Sequence, residues 1–89
     1  MIYKVNPHVQ WEHVADKEND DVLVYNEESE DVIVVNHTAF KVLERISQNL
    51  DVTDIIKQLC KEYNIGRDVV EKDVDDIISQ FKESALIIE

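Results

Sequence analysis

Histidine and cysteine side chains are the groups with which this chain could bind a metal ion or attack a substrate. The histidines are His8, His13 and His37, and no two of them have the H-x-x-x-H spacing of metal ligands on one helix. His8 and His13 fall on opposite faces of a predicted strand. Cys60 lies in an apolar helical pattern, far in sequence from any histidine, which favours a structural thiol over a nucleophile. We therefore predict neither a metal site nor a catalytic cysteine.

Carboxylates are the remaining candidates for catalysis. Glu71, Asp73, Asp75 and Asp76 crowd the start of one predicted helix, where a pair could act as general acid and base. Negative charge is also stabilised there by the helix dipole, so a solvated helix face is the simpler interpretation. Gly66 is the only glycine, which excludes a glycine-rich phosphate loop. The sequence predicts a protein that is not an enzyme and that needs no cofactor.

The composition narrows the class of partner. The 89 residues predict one domain, residues 1–89, and the formal net charge is −11. Such a charge repels phosphate, so we expect no nucleic-acid or anionic-membrane partner, and a cationic peptide or protein surface is the complement. Solubility alone is the simpler explanation of the acidity. With one cysteine, no membrane-length apolar run and no signal-peptide pattern, the chain is expected to be cytoplasmic.

The N-terminal part of the chain has the pattern of a sheet. The segment "HVQWEHVAD" alternates between apolar and polar residues, and the polar turn "KENDD" follows it. The β-branched runs "VLVYN" and "DVIVVN" flank an acidic loop at residues 27–30. This spacing predicts a meander of three antiparallel strands.

The C-terminal part has the pattern of three helices. Apolar residues recur at helical spacing after residue 38, after residue 51 and after residue 69. Asn36 or Thr38 can cap the first helix, and Asp51 or Thr53 the second. Gly66 is expected to end the second helix in a left-handed conformation, and Asp68 with Glu71 to cap the third. The predicted fold is α+β and winged-helix-turn-helix-like, with a three-stranded antiparallel sheet followed by three helices.

An ordered set of motifs resembles the PqqD-like family, the RiPP recognition elements. The strand pair "DVLVYNEESEDVIVVN" ends in an asparagine, and the helix "NHTAFKVLERI" follows it directly. The segments "LDVTDIIKQLCKEY" and "VVEKDVDDIISQFKESALI" continue the pattern, so that the resemblance covers residues 3–88. It implies a non-catalytic module that holds the leader segment of a ribosomally made precursor peptide. It also implies a partner enzyme, such as a radical-SAM protein, a cyclase or a leader peptidase.

In that family the leader adds as a strand to the third strand of the sheet, beside the third helix. The residues here suit this arrangement, because the third predicted strand is an edge strand without proline. Alternation places Val32 and Val34 on one face of it and Ile33 and Val35 on the other. The predicted peptide-binding residues are Asp31, Val32, Ile33, Val34, Val35, Val69, Asp73, Asp76, Ile77 and Gln80. The opposite flank of the third helix, through Glu71, Asp75 and Lys82, is the alternative.

The acidic residues of this site predict a ligand with apolar anchors and at least one Lys or Arg. Two other functions compete with this one. An adaptor subunit would dock only on a partner enzyme, and a winged-helix DNA-binding protein would read a groove with its third helix. The second is disfavoured because "DVVEKDVDDIISQ" presents mostly carboxylates. The edge strand could instead be covered by a helix or pair in a homodimer.

Overall fold

The computed structural model describes residues 2–13 and 21–89. Its main sheet contains β2 (Val9–His13), β3 (Val22–Asn26) and β4 (Asp31–Val35) in the order β2-β3-β4, with both neighbouring pairs antiparallel. Three helices follow, so the predicted α+β fold of a three-stranded antiparallel sheet and three helices is confirmed. The predicted turn "KENDD", and the end of the first predicted strand after residue 13, lie mostly outside the described residues.

Alternation along the strands divides the sheet into a core face and an outer face. Val22 and Val24 are fully buried on β3, and Val35 is 6% exposed on β4. Val32 and Val34 lie on the outer face, each 61% exposed. The predicted division of β4 is therefore confirmed, since side chains alternate between the faces with a period of two.

The helices are α1 (His37–Ser47), α2 (Val52–Tyr63) and α3 (Arg67–Glu83). In each of the first two helices, the N-cap side chain accepts a hydrogen bond from a backbone N–H of the first turn, which has no carbonyl partner within the helix. The Asn36 side chain accepts a hydrogen bond from the Ala39 N–H at 2.8 Å, and Asp51 accepts one from the Thr53 N–H at 2.8 Å. The structure thus selects Asn36 over Thr38 and Asp51 over Thr53.

Two predictions about the junction of α2 and α3 are wrong. Asn64, with φ 52°, adopts the left-handed conformation that ends α2, whereas Gly66 has φ −59° and occupies the N-cap of α3. Asp68 lies inside the first turn of α3, and no side chain caps this helix. Asparagine tolerates the left-handed region better than most residues, so the turn forms two residues before the glycine.

A second sheet joins the two ends of the chain. Strand β1 (Lys4–Val5) pairs antiparallel with β5 (Ile87–Ile88). The sequence patterns do not predict this pairing. Asn6 and Asn26 hold the same region, because each donates a side-chain hydrogen bond to the Ala85 carbonyl, at 2.9 Å and 3.2 Å.

One apolar core lies between the main sheet and the three helices, and both sheets contribute to it. Trp11 of β2 packs edge-on against Phe40 of α1, with ring centroids 5.9 Å apart. The fully buried side chains include Leu43, Ile46 and Ile55. Among the described residues, no helix is long and apolar enough to cross a membrane.

Candidate functional site

Strand β4 is an edge of the main sheet, because β3 is its only strand neighbour among the described residues. The Glu27 N–H donates to the His8 carbonyl at 2.9 Å, so Glu27 directs its backbone groups toward β2. Every second residue of a paired strand faces the same neighbour, so Tyr25 and Leu23 also direct their N–H and C=O groups toward β2. The intervening β3 residues direct theirs toward β4. By the register of β3 and β4, Val32 and Val34 then direct their N–H and C=O groups away from the sheet. These are the backbone groups of β4 that another strand could use.

A groove separates this edge from α3. Its first part is a cavity of ≈ 410 Å³. Two predicted α3 residues, Ile77 and Gln80, face three predicted residues of β4 across it, and Asn36 and Ala39 form its end at α1. The full lining is Ile33, Val34, Val35, Asn36, Ala39, Ile77, Gln80, Glu83 and Ser84.

The groove continues along α3 toward the start of that helix. A second cavity of ≈ 350 Å³ is lined by Asn36, Thr38, Asp73, Asp76 and Ile77. Thr38, Asp73 and Ile77 also border a third, more enclosed cavity of ≈ 130 Å³. Its other walls are apolar or aromatic and come from α2, α3 and the turn between them: Leu59, Tyr63, Ile65, Val70 and Val74. Because Ile77 borders all three cavities, they form one groove with an apolar pocket at its far end.

The structure thus decides which flank of α3 faces the groove. Asp73, Asp76, Ile77 and Gln80 line it, and their part in peptide binding stays a prediction. Of the alternative flank, Glu71 and Asp75 line none of the three groove cavities, and the neighbouring cavity that they do line meets the groove only at Asp76. Val69 borders none of the three groove cavities and is 54% exposed. It shares the stripe of Asp73, one helical turn earlier.

The charges along the groove are negative. Asp73, Asp76 and Glu83 border it, and among residues 2–13 and 21–89 no lysine or arginine forms an ion pair with these three carboxylates. These unpaired carboxylates attract a cationic side chain of a ligand, and the apolar residues beside them favour an apolar side chain next to it. The groove therefore suits an extended chain that carries both kinds of side chain.

Several groove residues were not among the predicted site residues. Asn36 and Thr38 had been considered only as helix caps, and Asn36 both caps α1 and borders the groove. Glu83 follows Gln80 by three residues, so helical spacing alone could have identified it. Tyr63 is the last residue of α2 and ends its apolar stripe, so helical spacing places it on the side of α2 that faces the core. Ile65 comes to the pocket from the turn after α2, and no periodic pattern indicates that position.

The histidines and the cysteine lie apart from the groove. His8 Nε2 is 3.1 Å from a carboxylate oxygen of Glu28 at the surface, and the side chain of His13 lies outside the described part of the chain. Cys60 is half buried and packs against the core. Within residues 2–13 and 21–89 no group of three or more His, Cys, Asp or Glu side chains is arranged to hold a metal ion.

Comparisons with known proteins identify a family. The family model described as "Coenzyme PQQ synthesis protein D (PqqD)" matches residues 21–87, which is more than half of the chain. No curated protein has a sequence that matches this chain significantly.

Two solved structures share the fold. One is described as "TbiB1 in Complex with the TbiA(beta) Leader Peptide", with a TM-score of 0.82 and 18% identity over 94% of this chain and 93% of that chain. The other, "Lasso peptide synthetase B1 complexed with the leader peptide", has a TM-score of 0.84 and 17% identity over the full length of both chains. At these identities the likeness concerns the fold.

Proposed function

The chain belongs to the PqqD family, and we propose that it binds the leader segment of a ribosomally synthesised precursor peptide by β-strand addition to β4. In this function the protein performs no chemistry of its own. The protein presents the bound precursor in the cytoplasm to a modifying enzyme, such as a radical-SAM protein, a cyclase or a leader peptidase. Two proteins of the same fold are described as complexes with a leader peptide.

The observation that carries this proposal is the open edge of β4 beside the groove. Val32 and Val34 direct two N–H and two C=O groups outward, and an extended peptide can pair with all four. Alternate side chains of the added strand would then point toward the groove between β4 and α3. Backbone pairing supplies affinity without sequence preference, so the groove supplies the specificity.

The groove also indicates the chemistry of the leader. The apolar pocket beside Tyr63 and Ile65 suits one apolar or aromatic side chain. Asp73 borders this pocket as well as the neighbouring cavity that contains Asp76. We infer a leader with apolar anchors and a Lys or Arg close to the one that fills the pocket.

Titration of the purified protein with the precursor peptide encoded beside its gene tests the proposal. We expect saturable binding to the leader and none to a scrambled peptide of the same composition. Asp73→Lys should weaken binding about tenfold, because it places a like charge against the cationic residue of the leader. Asp75→Lys is the matched control, since it makes the same change of charge on the other flank of α3.

The salt dependence of binding separates the charged contact from the backbone pairing. Wild-type affinity should fall as ionic strength rises, and the affinity of the Asp73→Lys variant should change little. Equal losses in Asp73→Lys and Asp75→Lys would contradict the assigned flank. Binding to the modifying enzyme but to no leader peptide would instead favour an adaptor. A dimer that dissociates when leader is added would indicate that β4 pairs with a second copy in the free protein.

A further inference from the structure

The outer face of the main sheet is a second surface with unusual chemistry. Register places two cross-strand rows on it, because residues that pair across strands point to the same side. One row is Gln10, Tyr25 and Val32, and the next contains Leu23 and Val34 beside Glu12. The face is therefore apolar over β3 and β4 and polar over β2.

The apolar part is open to solvent. Val32 and Val34 are each 61% exposed, and their cross-strand neighbours Tyr25 and Leu23 are half buried. Three β-branched or aliphatic side chains and a tyrosine ring thus lie side by side, and none of the helices α1, α2 and α3 covers Val32 or Val34. Contiguous apolar surface on an edge strand promotes association, and it commonly marks an interface.

Carboxylates border this apolar area. Glu12 lies on the face itself, and Glu27 and Glu30 lie in the hairpin turn that joins β3 to β4. Within the described parts of the chain, no lysine or arginine forms an ion pair with any of these three side chains. Glu27 instead accepts a hydrogen bond from the Gln10 amide at 2.6 Å. The face consequently matches an apolar surface that is ringed by cations.

We propose that this outer face is the docking surface for the enzyme that modifies or cleaves the bound precursor, and that the enzyme meets it with an apolar patch bordered by Lys or Arg. The identity of this partner rests on the function proposed above. A second copy of the chain is the poorer occupant. It would bring two acidic borders together, and each copy has a formal charge of −11.

The position of the face relative to the leader explains its use. A strand added to β4 would extend the same sheet, so every second leader side chain would lie beside Val32 or Val34 on the outer face. An enzyme seated there would contact the carrier and the leader together. It would therefore bind the loaded carrier more tightly than the empty one.

The central strand offers variants that separate this surface from the leader site. Leu23→Thr combined with Tyr25→Thr makes the face polar, retains good strand-forming residues and leaves β4 unaltered. The probe is the purified modifying enzyme or leader peptidase encoded beside this chain's gene, titrated in the presence and absence of leader peptide. We expect the double variant to lose about tenfold or more in affinity for the enzyme, while its affinity for the leader peptide stays at the wild-type value.

Two further variants complete the experiment. Ile88→Thr is the matched control, because Ile88 is an exposed aliphatic residue of the other sheet, 44% exposed, and its affinity for the enzyme should equal that of the wild type. Glu12→Lys changes only the acidic border, so it tests the face if the double variant fails to fold. It should weaken enzyme binding and reduce the dependence of that binding on salt.

Three results would overturn the docking proposal. The first is wild-type affinity for the enzyme in the double variant or in Glu12→Lys. The second is the absence of enzyme binding by the wild-type protein with leader bound. The third is a wild-type dimer that the double variant abolishes, which would make a second copy the occupant. The leader titration with the same samples reports separately on the proposed function.

Discussion

Replacement of Val34 by proline should prevent leader binding while leaving the domain folded. The register of β3 and β4 places the Val34 N–H on the open side of the edge strand. Proline removes this donor and places its ring where the added strand would approach. The substitution suits the site, because an edge strand accepts proline where the N–H faces solvent, and Ile33 already has the extended conformation that a residue before proline prefers.

The expected loss follows from the backbone groups involved. The missing hydrogen bond contributes about 0.5–1.5 kcal/mol, and the leader carbonyl left unpaired in the interface costs about 1–3 kcal/mol. We take about 2 kcal/mol as the combined effect, which corresponds to roughly a 30-fold increase in Kd. The fall in unfolding free energy should be smaller than the about 3 kcal/mol that proline costs inside a helix, because no ladder hydrogen bond is lost.

Calorimetric titration with leader peptide measures the change, and urea denaturation of the same sample confirms the fold. Val34→Thr is the matched control, since it keeps the N–H and the β-branched shape but changes the exposed side chain. Its Kd should stay within about threefold of the wild-type value. A folded Val34→Pro variant with wild-type affinity would refute strand addition at β4. An equal loss in Val34→Thr would assign the effect to the side chain rather than to the backbone.

Three further predictions concern the stability of the scaffold, and urea denaturation measures each. Asn26→Ala should lower the unfolding free energy by about 3 kcal/mol, because the buried amide bonds two turn N–H groups and a carbonyl; an effect under about 1 kcal/mol would contradict this. Asn64→Ala should lower the unfolding free energy by about 1 kcal/mol, because residue 64 has a left-handed conformation. Gly66→Ser should raise the unfolding free energy by about 0.5–1 kcal/mol, because serine supplies the missing N-cap of α3. The opposite signs would indicate that Gly66, and not Asn64, ends α2. Arg45 donates a hydrogen bond to Glu62 at 2.7 Å, and this contact lowers the pKa of the Glu62 carboxyl below its ordinary value. The ionised carboxylate therefore stabilises the fold fully above the ordinary pKa, and this stabilisation disappears as pH falls through the lowered pKa. Glu62→Gln should be less stable than the wild type at neutral pH and equally stable in acid.

The helix boundaries show where local sequence is sufficient and where it is not. The caps of α1 and α2 were narrowed to two residues each, because a cap is a contact between residues two or three positions apart. The junction of α2 and α3 was predicted wrongly, although it is equally short. Asn64 and Gly66 can both adopt a left-handed conformation, and the direction in which α3 must leave to reach the core selects between them.

The sheet shows the same limit over a longer distance. Strands β2, β3 and β4 follow from alternation and short loops, which are local patterns. The pairing of β1 with β5 joins residues at the two ends of the chain. Each strand has only two residues, too few to show a period, and their meeting depends on the path of everything between them.

The sequence by itself determined the alternation of β4, the acidic stripe of α3 and the absence of a catalytic motif, because side-chain period and composition are properties of the chain alone. Only the tertiary structure decided that the side of α3 that carries Asp73 and Ile77 faces the groove. The same is true of the apolar pocket that Tyr63 and Ile65 border at the end of the groove. A groove exists only between elements, and its lining depends on how each helix is rotated when its buried stripe packs against the shared core.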